Sequence, residues 1–181
     1  MSVLLLKKKK MEESTEKMLI IERMQEDIKL IQFLPHFDEV IHDGNSIELT
    51  ELRLDEVFFE SALLKWQNSI TGEERIKRIK GGNFARLDIG IFLTLAKNPE
   101  KIPNHWKFLP DGSPRKIVFD GTILRDNKHG FAYVPYMQFV TDEWIFDTAD
   151  TGDEDSAYSA VTNDFIAESI VVCLPSKIFP K

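Results

Sequence analysis

Residues 116–125 read Lys-Ile-Val-Phe-Asp-Gly-Thr-Ile-Leu-Arg, and residues 131–140 read Phe-Ala-Tyr-Val-Pro-Tyr-Met-Gln-Phe-Val. Apolar character alternates along both stretches, the period that sends successive side chains to opposite faces of a strand. Asp120-Gly121 interrupts the first stretch and is either a two-residue hairpin turn or a bulge within one strand. The run Asp126-Asn127-Lys128-His129-Gly130 is the stronger turn signal, which favours the bulge. Phe131 to Val140 then forms a second strand, with Phe131, Tyr133, Met137 and Phe139 toward one face. Thr141-Asp142-Glu143 makes a short loop, and Trp144 to Asp147 begins a third strand. The three predict an antiparallel meander, and Ile170-Val171-Val172-Cys173-Leu174 predicts a final strand.

Toward the N-terminus the period changes from two to about 3.6. Met18, Ile21, Met24, Ile28 and Ile31 share one helical face, predicting a helix from about Glu12 to Leu34 that Pro35 stops. Pro35 to Asn45 reads as a loop, and Ser46 to Leu54 as an edge strand or an extended lead-in. Asp55 is a candidate N-cap for a helix to about Ser69, on which Phe59, Leu63, Trp66 and Ile70 form a broad stripe. Thr71-Gly72-Glu73-Glu74 has capping-box spacing and opens a short helix ended by Gly81-Gly82. Asn83 is read as the cap of a further helix to about Lys97, with Gly90 and Asp88 in its interior. Gly90 implies a close backbone neighbour, and Asp88 reads as a surface polar residue or a buried acid. The fold class expected is α+β, a helical N-terminal half packed on a small C-terminal antiparallel β-meander. Its regions are a basic leader at 1–11, a helical region at 12–98, a linker at 99–115 anchored by Trp106, and the meander with its acidic loop at 116–181. The helical region and the meander are expected to form one unit.

The whole chain has 181 residues and a formal net charge of −7, and 43% of its residues are hydrophobic. That composition excludes a largely disordered or collagen-like chain. One cysteine, Cys173, excludes an internal disulfide and a multi-thiolate zinc site, and its apolar strand makes it a small buried hydrophobe. Val3-Leu4-Leu5-Leu6 precedes Lys7 to Lys10, the reverse of a secretory signal, so the start reads as a ragged leader of a cytoplasmic protein. No stretch approaches the about 18 apolar residues of a membrane-spanning helix. Residues 141–181 alone carry nine acidic and two basic side chains. This balance argues against broad nucleic-acid binding.

No phosphate-cradling glycine loop, nucleophile elbow or dinucleotide fingerprint occurs. His36, His42, His105 and His129 all fall in expected loops without metal-ligand spacing. Arg75, Lys77, Arg78 and Lys80 crowd one short helix and are a candidate contact for an anion. Asp147, Asp150, Asp153, Glu154 and Asp155 offer the hard oxygens that Ca²⁺ or Mg²⁺ takes, although their spacing breaks the calcium-loop pattern. Otherwise no cofactor is expected. Aromatic residues are concentrated on the meander, and aromatic and Arg side chains dominate protein-binding hot spots. Arg125, Tyr136 and Trp144 are therefore the candidate binding surface, with the helix around Ile28 as a second contact.

Within residues 85–147, Arg86-Leu87-Asp88-Ile89-Gly90-Ile91-Phe92, Ile102-Pro103 with Trp106-Lys107, Phe119-Asp120-Gly121-Thr122-Ile123-Leu124-Arg125 and Glu143-Trp144 resemble a group of small uncharacterised bacterial proteins. The resemblance covers about a third of the chain and implies no activity, cofactor or substrate. The expectation is a non-enzymatic cytoplasmic protein-interaction module with a protein partner. The alternative is a small divalent-cation-dependent enzyme acting on a phosphorylated or nucleic-acid substrate through the acidic loop.

Overall fold

The computed structural model of the chain describes residues 18–23, 37–60, 62–64, 72–80, 84–129, 131–150 and 167–173. Among these residues the elements in chain order are β1 (Met18–Ile20), β2 (Glu39–His42), β3 (Glu51–Arg53), β4 (Val57–Glu60), α1 (Gly72–Lys80), β5 (Phe84–Arg86), α2 (Ile89–Lys97), β6 (Lys116–Val118), β7 (Thr122–Asp126), β8 (Phe131–Val140), β9 (Glu143–Asp150) and β10 (Ala167–Cys173). Two single 3-10 turns, Pro99–Lys101 and Asn104–Trp106, lie between α2 and β6.

The stretch at 116–126 is one strand broken by a bulge. Val118 stands opposite Tyr136 and Leu124 opposite Tyr133, so six positions on one strand face three on the other and three residues are extra. Pro135 accounts for the break. The Phe119 N–H donates to the Pro135 carbonyl at 2.8 Å, but proline has no N–H to return, and the Phe119 carbonyl accepts the Thr122 N–H at 3.2 Å instead. The displaced Gly121 donates its N–H to Leu87 O at 3.0 Å and accepts the Asp43 N–H at 2.7 Å. A Cβ at Gly121 would stand 2.0 Å from the Arg86 carbonyl oxygen, so only glycine allows this approach.

The bulge is also where the sheet forks. The outer edge of β7 carries β2, while that of β6 carries β10 in parallel. β10 pairs with β4 along its other edge, and β5 joins it beyond the end of β6. β1 and β3 form a separate two-stranded sheet. The larger core gathers Leu19, Ile21, Leu52 and Leu54 from the small sheet, Ile91, Phe92 and Leu95 from α2, and Ile117, Phe119, Leu124 and Met137 from the large one. Phe92 packs edge-on against Phe119 and Phe146, at 5.3 and 5.5 Å between ring centres. Trp106 is wholly buried among them and anchors the segment between α2 and β6.

The meander, the bulge and the final strand match the sequence reading, but the helical N-terminal half does not. The described part of that half sends β2, β4 and β5 into the same sheet as the meander. Met18-Leu19-Ile20-Ile21 is a continuous apolar run, compatible with either period, and it resolves as a strand: Leu19 and Ile21 are buried and Ile20 is exposed. Of the expected 12–34 helix, residues 12–17 and 24–34 lie outside the described residues.

The expected 55–69 helix is replaced at its start by β4, where Val57 and Phe59 face Val172 and Ile170 across the ladder. β-branched and aromatic residues suit that pairing. Asp55 accepts from Arg53 at 3.1 Å in the turn before β4 rather than capping a helix. The short basic helix forms as α1. The following helix starts five residues later than read, because Phe84–Arg86 pairs with β10 and Asp88 is the cap. One carboxylate oxygen of Asp88 accepts from Gly90 and Ile91 N–H, and the other accepts from Arg23 Nη1 at 2.6 Å. The close neighbour of Gly90 is the Arg23 guanidinium, a side chain rather than a backbone.

Candidate functional site

β8 and β9 are joined by two residues, Thr141 and Asp142, with φ of 49° and 66°. Two consecutive left-handed residues make the hairpin turn whose twist matches that of the strands it joins. Because the Pro135 carbonyl points toward the bulge, Tyr133, Pro135, Met137 and Phe139 direct their backbone polar groups away from β9. The β9 residues opposite Pro135, Met137 and Phe139 are Thr148, Phe146 and Trp144, and their N–H and C=O groups point outward. Among the described residues β9 pairs with β8 alone, so this outward row is a sheet edge. The Thr148 N–H is taken by the Asp147 carboxylate at 2.7 Å. Among the described residues nothing takes up the outward groups of Trp144 and Phe146, which offer donors and acceptors along the edge. Asp142, Glu143 and Asp147 are exposed beside it, and Ile145 is 39% exposed.

The two faces of this hairpin differ. Trp144 and Phe146 lie on the side of the larger core, Trp144 edge-on to Phe139 with ring centres 5.4 Å apart. On the other side Val118, Val134 and Ala149 form a small buried cluster with Ile123 and Tyr136. Lys116, 5% exposed, places its Nζ 3.9 Å from the centre of the Tyr136 ring. Burial pushes the Lys116 amine down to about 8; Asp147 opposes this shift and the Arg75 charge adds to it. The Tyr136 hydroxyl is held above its ordinary value, first by burial and then by the charge and hydrogen bond of Asp147.

The expected binding trio is thus divided between the faces. Tyr136 and Arg125 share one, Arg125 exposed on β7 opposite Ala132, whereas Trp144 belongs to the other. Of the α1 cations, Arg75, Lys77 and Arg78 do not form one patch. Arg75 is 1% exposed and donates to Glu60 O, and Arg78 bonds Glu74 at 3.0 Å and Ala62 O at 2.9 Å. Lys77 is exposed within 4.0 Å of Glu74, and Lys80 ends the helix. Asp147 and Asp150 lie in β9 rather than in a loop, while Asp153, Glu154 and Asp155 lie outside the described residues. Among the described residues no three His, Cys, Asp or Glu side chains gather to hold a metal. His42 bonds Thr122 at 2.9 Å and His129 bonds Asp126 at 2.6 Å, while His105 sits exposed in a 3-10 turn. His36 and Ile28, with the helix expected around it, lie outside the described residues, and Cys173 ends β10 opposite Phe84.

No family model, curated protein or solved structure matches the chain. The site therefore rests on its own geometry. Sequence reasoning missed Lys116, whose burial depends on strands outside its neighbourhood, and the outward edge of β9. The edge had one visible signal, a proline in the middle of an alternating run.

Proposed function

We propose that this chain is a non-enzymatic protein-interaction module of the cytoplasm that takes an extended, basic strand of a partner protein along β9. The observation carrying this reading is the outward row of backbone groups at Trp144 and Phe146, flanked by exposed Asp142, Glu143 and Asp147. Strand addition is a general recognition mode in which main-chain bonds give affinity and neighbouring side chains give selectivity. Four such bonds at about 1 kcal/mol each reach only millimolar binding, so the acidic flank and exposed Ile145 must supply the rest. That requirement points to a basic partner strand carrying an apolar residue. No helix among the described residues is long and apolar enough to cross a membrane. The divalent-cation enzyme reading draws no support from β9, which presents Asp147 on a paired strand beside Lys116 and Tyr136.

Thr148→Pro tests the proposal. Its N–H faces outward, so proline there leaves the β8–β9 ladder intact while its ring obstructs the edge. With an alternating lysine–valine peptide as probe, amide exchange should slow at Trp144 and Phe146, and Thr148→Pro should abolish that protection. Absence of protection at both amides, or equal protection in the variant, overturns the assignment.

A further inference from the structure

The fork in the sheet encloses a second feature, unconnected to the β9 edge. A cleft of about 240 Å³ opens there, lined by Ile41, His42, Asp43, Gly44, Arg86, Asp120 and Ile123. We infer that this cleft binds a small, neutral, single-ring molecule with a lactam or carboxamide edge, a carbonyl next to an N–H.

Arg86 sets the chemistry. It is 3% exposed and fixed on two sides, its Nε donating to Asp43 Oδ2 at 3.0 Å and its Nη1 to the Asp120 carbonyl at 2.6 Å. Its third nitrogen, Nη2, bonds to nothing among the described residues, so a rigidly held guanidinium keeps spare donors in a residue that lines the cleft. Nη2 is not one of the buried atoms left without a partner, so its donors are open to an acceptor that enters the cleft.

The charge balance selects the acceptor. The Asp43 carboxylate already pairs with the guanidinium and lines the cleft, so a phosphate or carboxylate would meet that negative charge, and a cation would leave Nη2 unused. A neutral carbonyl accepts from Nη2 without that repulsion. Its neighbouring N–H can donate to Asp43, whose carboxylate retains lone pairs after accepting from Arg86 and Asn45. Ile41 and Ile123 stand opposite each other on β2 and β7, giving an apolar wall against which a flat ring can lie. The volume falls below the about 300 Å³ at which sites for drug-sized ligands begin, which limits the occupant to one ring.

His42 is held in place at the rim. Thr122 Oγ1 is buried, accepts the Ile89 N–H at 3.0 Å and stands 2.9 Å from His42 Nδ1, which fixes the ring beside the cleft.

Uracil and nicotinamide are the probes, with inorganic phosphate as the competing chemistry, followed by amide chemical shifts of the intact protein. Expected is a saturable shift centred on Gly44 and Ile123 with at least one lactam or carboxamide probe, and none with phosphate. Ile123→Trp fills the cleft without touching the Arg86 bonds, and Arg86→Lys removes the fork of donors. Each should weaken binding by about tenfold or more, with Ile123→Trp decisive if Arg86→Lys fails to fold. No saturable shift with either probe, a phosphate shift at the same amides, or undiminished binding in Ile123→Trp overturns the inference.

Discussion

The fork at Phe119–Gly121 and the β8–β9 hairpin are the two interruptions of the same meander, and they treat the backbone in opposite ways. At the fork, main-chain groups released by the bulge are recovered inside the protein: Phe119 by Thr122, Gly121 by Leu87 and Asp43, and Asp120 by Arg86. Along β9 no described residue takes up the outward groups of Trp144 and Phe146, and the Thr148 N–H is covered by its neighbour Asp147. Burial explains the contrast. An unbonded peptide group costs about 1–3 kcal/mol away from water and little at an exposed edge. The fork is therefore expected to be rigid and intolerant of substitution, and the hairpin permissive.

The strongest way to break this comparison is Gly121→Ala. The added carbon would meet backbone on the neighbouring segment, 2.0 Å from Arg86 O and 2.6 Å from Leu87 O, and neither atom can turn aside as a side-chain end would. The expected loss is at least about 4 kcal/mol, a large share of the stability of a domain this size. Urea unfolding of the two proteins measures it. A loss below about 1 kcal/mol would mean that the fork is pliable and that its difference from the hairpin is not one of packing.

Lys116 connects the two regions, since β6 runs into the fork and the amine sits over Tyr136 beside Asp147. Its folded pKa, about 8, lies below the ordinary 10.5. Between those values the unfolded chain binds the proton more strongly, so stability rises with pH across that window, and the penalty of the buried charge is fully present below it. Tyr136 works in the other direction: its raised pKa makes the unfolded chain ionise first, which lowers stability above about pH 10. Relative to Lys116→Met, the wild-type protein should gain about 2 kcal/mol between about pH 8 and pH 10.5, the full shift being discounted for water reaching the amine. Parallel pH profiles of thermal unfolding for the two proteins would place Lys116 outside the buried layer.

These two regions also show what could be read before the fold was known. Phe131–Val140 and the strand after it are neighbours in sequence, alternate cleanly and turn through two residues, so their pairing is carried by local pattern. β4 is hidden in the sequence because Val57-Phe58-Phe59 sits beside Leu63 and Trp66 in an apparent helical stripe, while its partner β10 is more than a hundred residues away. Such pairing leaves no local period. β5 is hidden for the same reason, and Asn83 competes as a helix start with Asp88, whose position just before Ile89 is itself an N-cap signature. Of the candidate site, Tyr136, Asp147 and Arg75 were each singled out, but for three separate roles. Their common neighbour Lys116 is recognisable only once β6, β8 and β9 are in register.

The smallest effect sharpens the comparison from the permissive side. Thr141 and Asp142 hold φ of 49° and 66°, a region that β-branched residues avoid and that Asn and Gly occupy readily. Both side chains are exposed, so replacement removes no packing. Thr141→Asn combined with Asp142→Gly should therefore stabilise the protein by about 1 kcal/mol through relief of backbone strain, a gain the same residue types could not produce at the fork. Thermal unfolding reads the gain, and exchange at the Trp144 and Phe146 amides reads its consequence. A tighter turn holds β9 in register without covering its edge, so these amides should exchange as fast as before while the inward Ile145 amide exchanges more slowly. Equal slowing at all three positions would show that the edge is protected by something other than β8, and the contrast between a sealed fork and an open strand would fail at the hairpin.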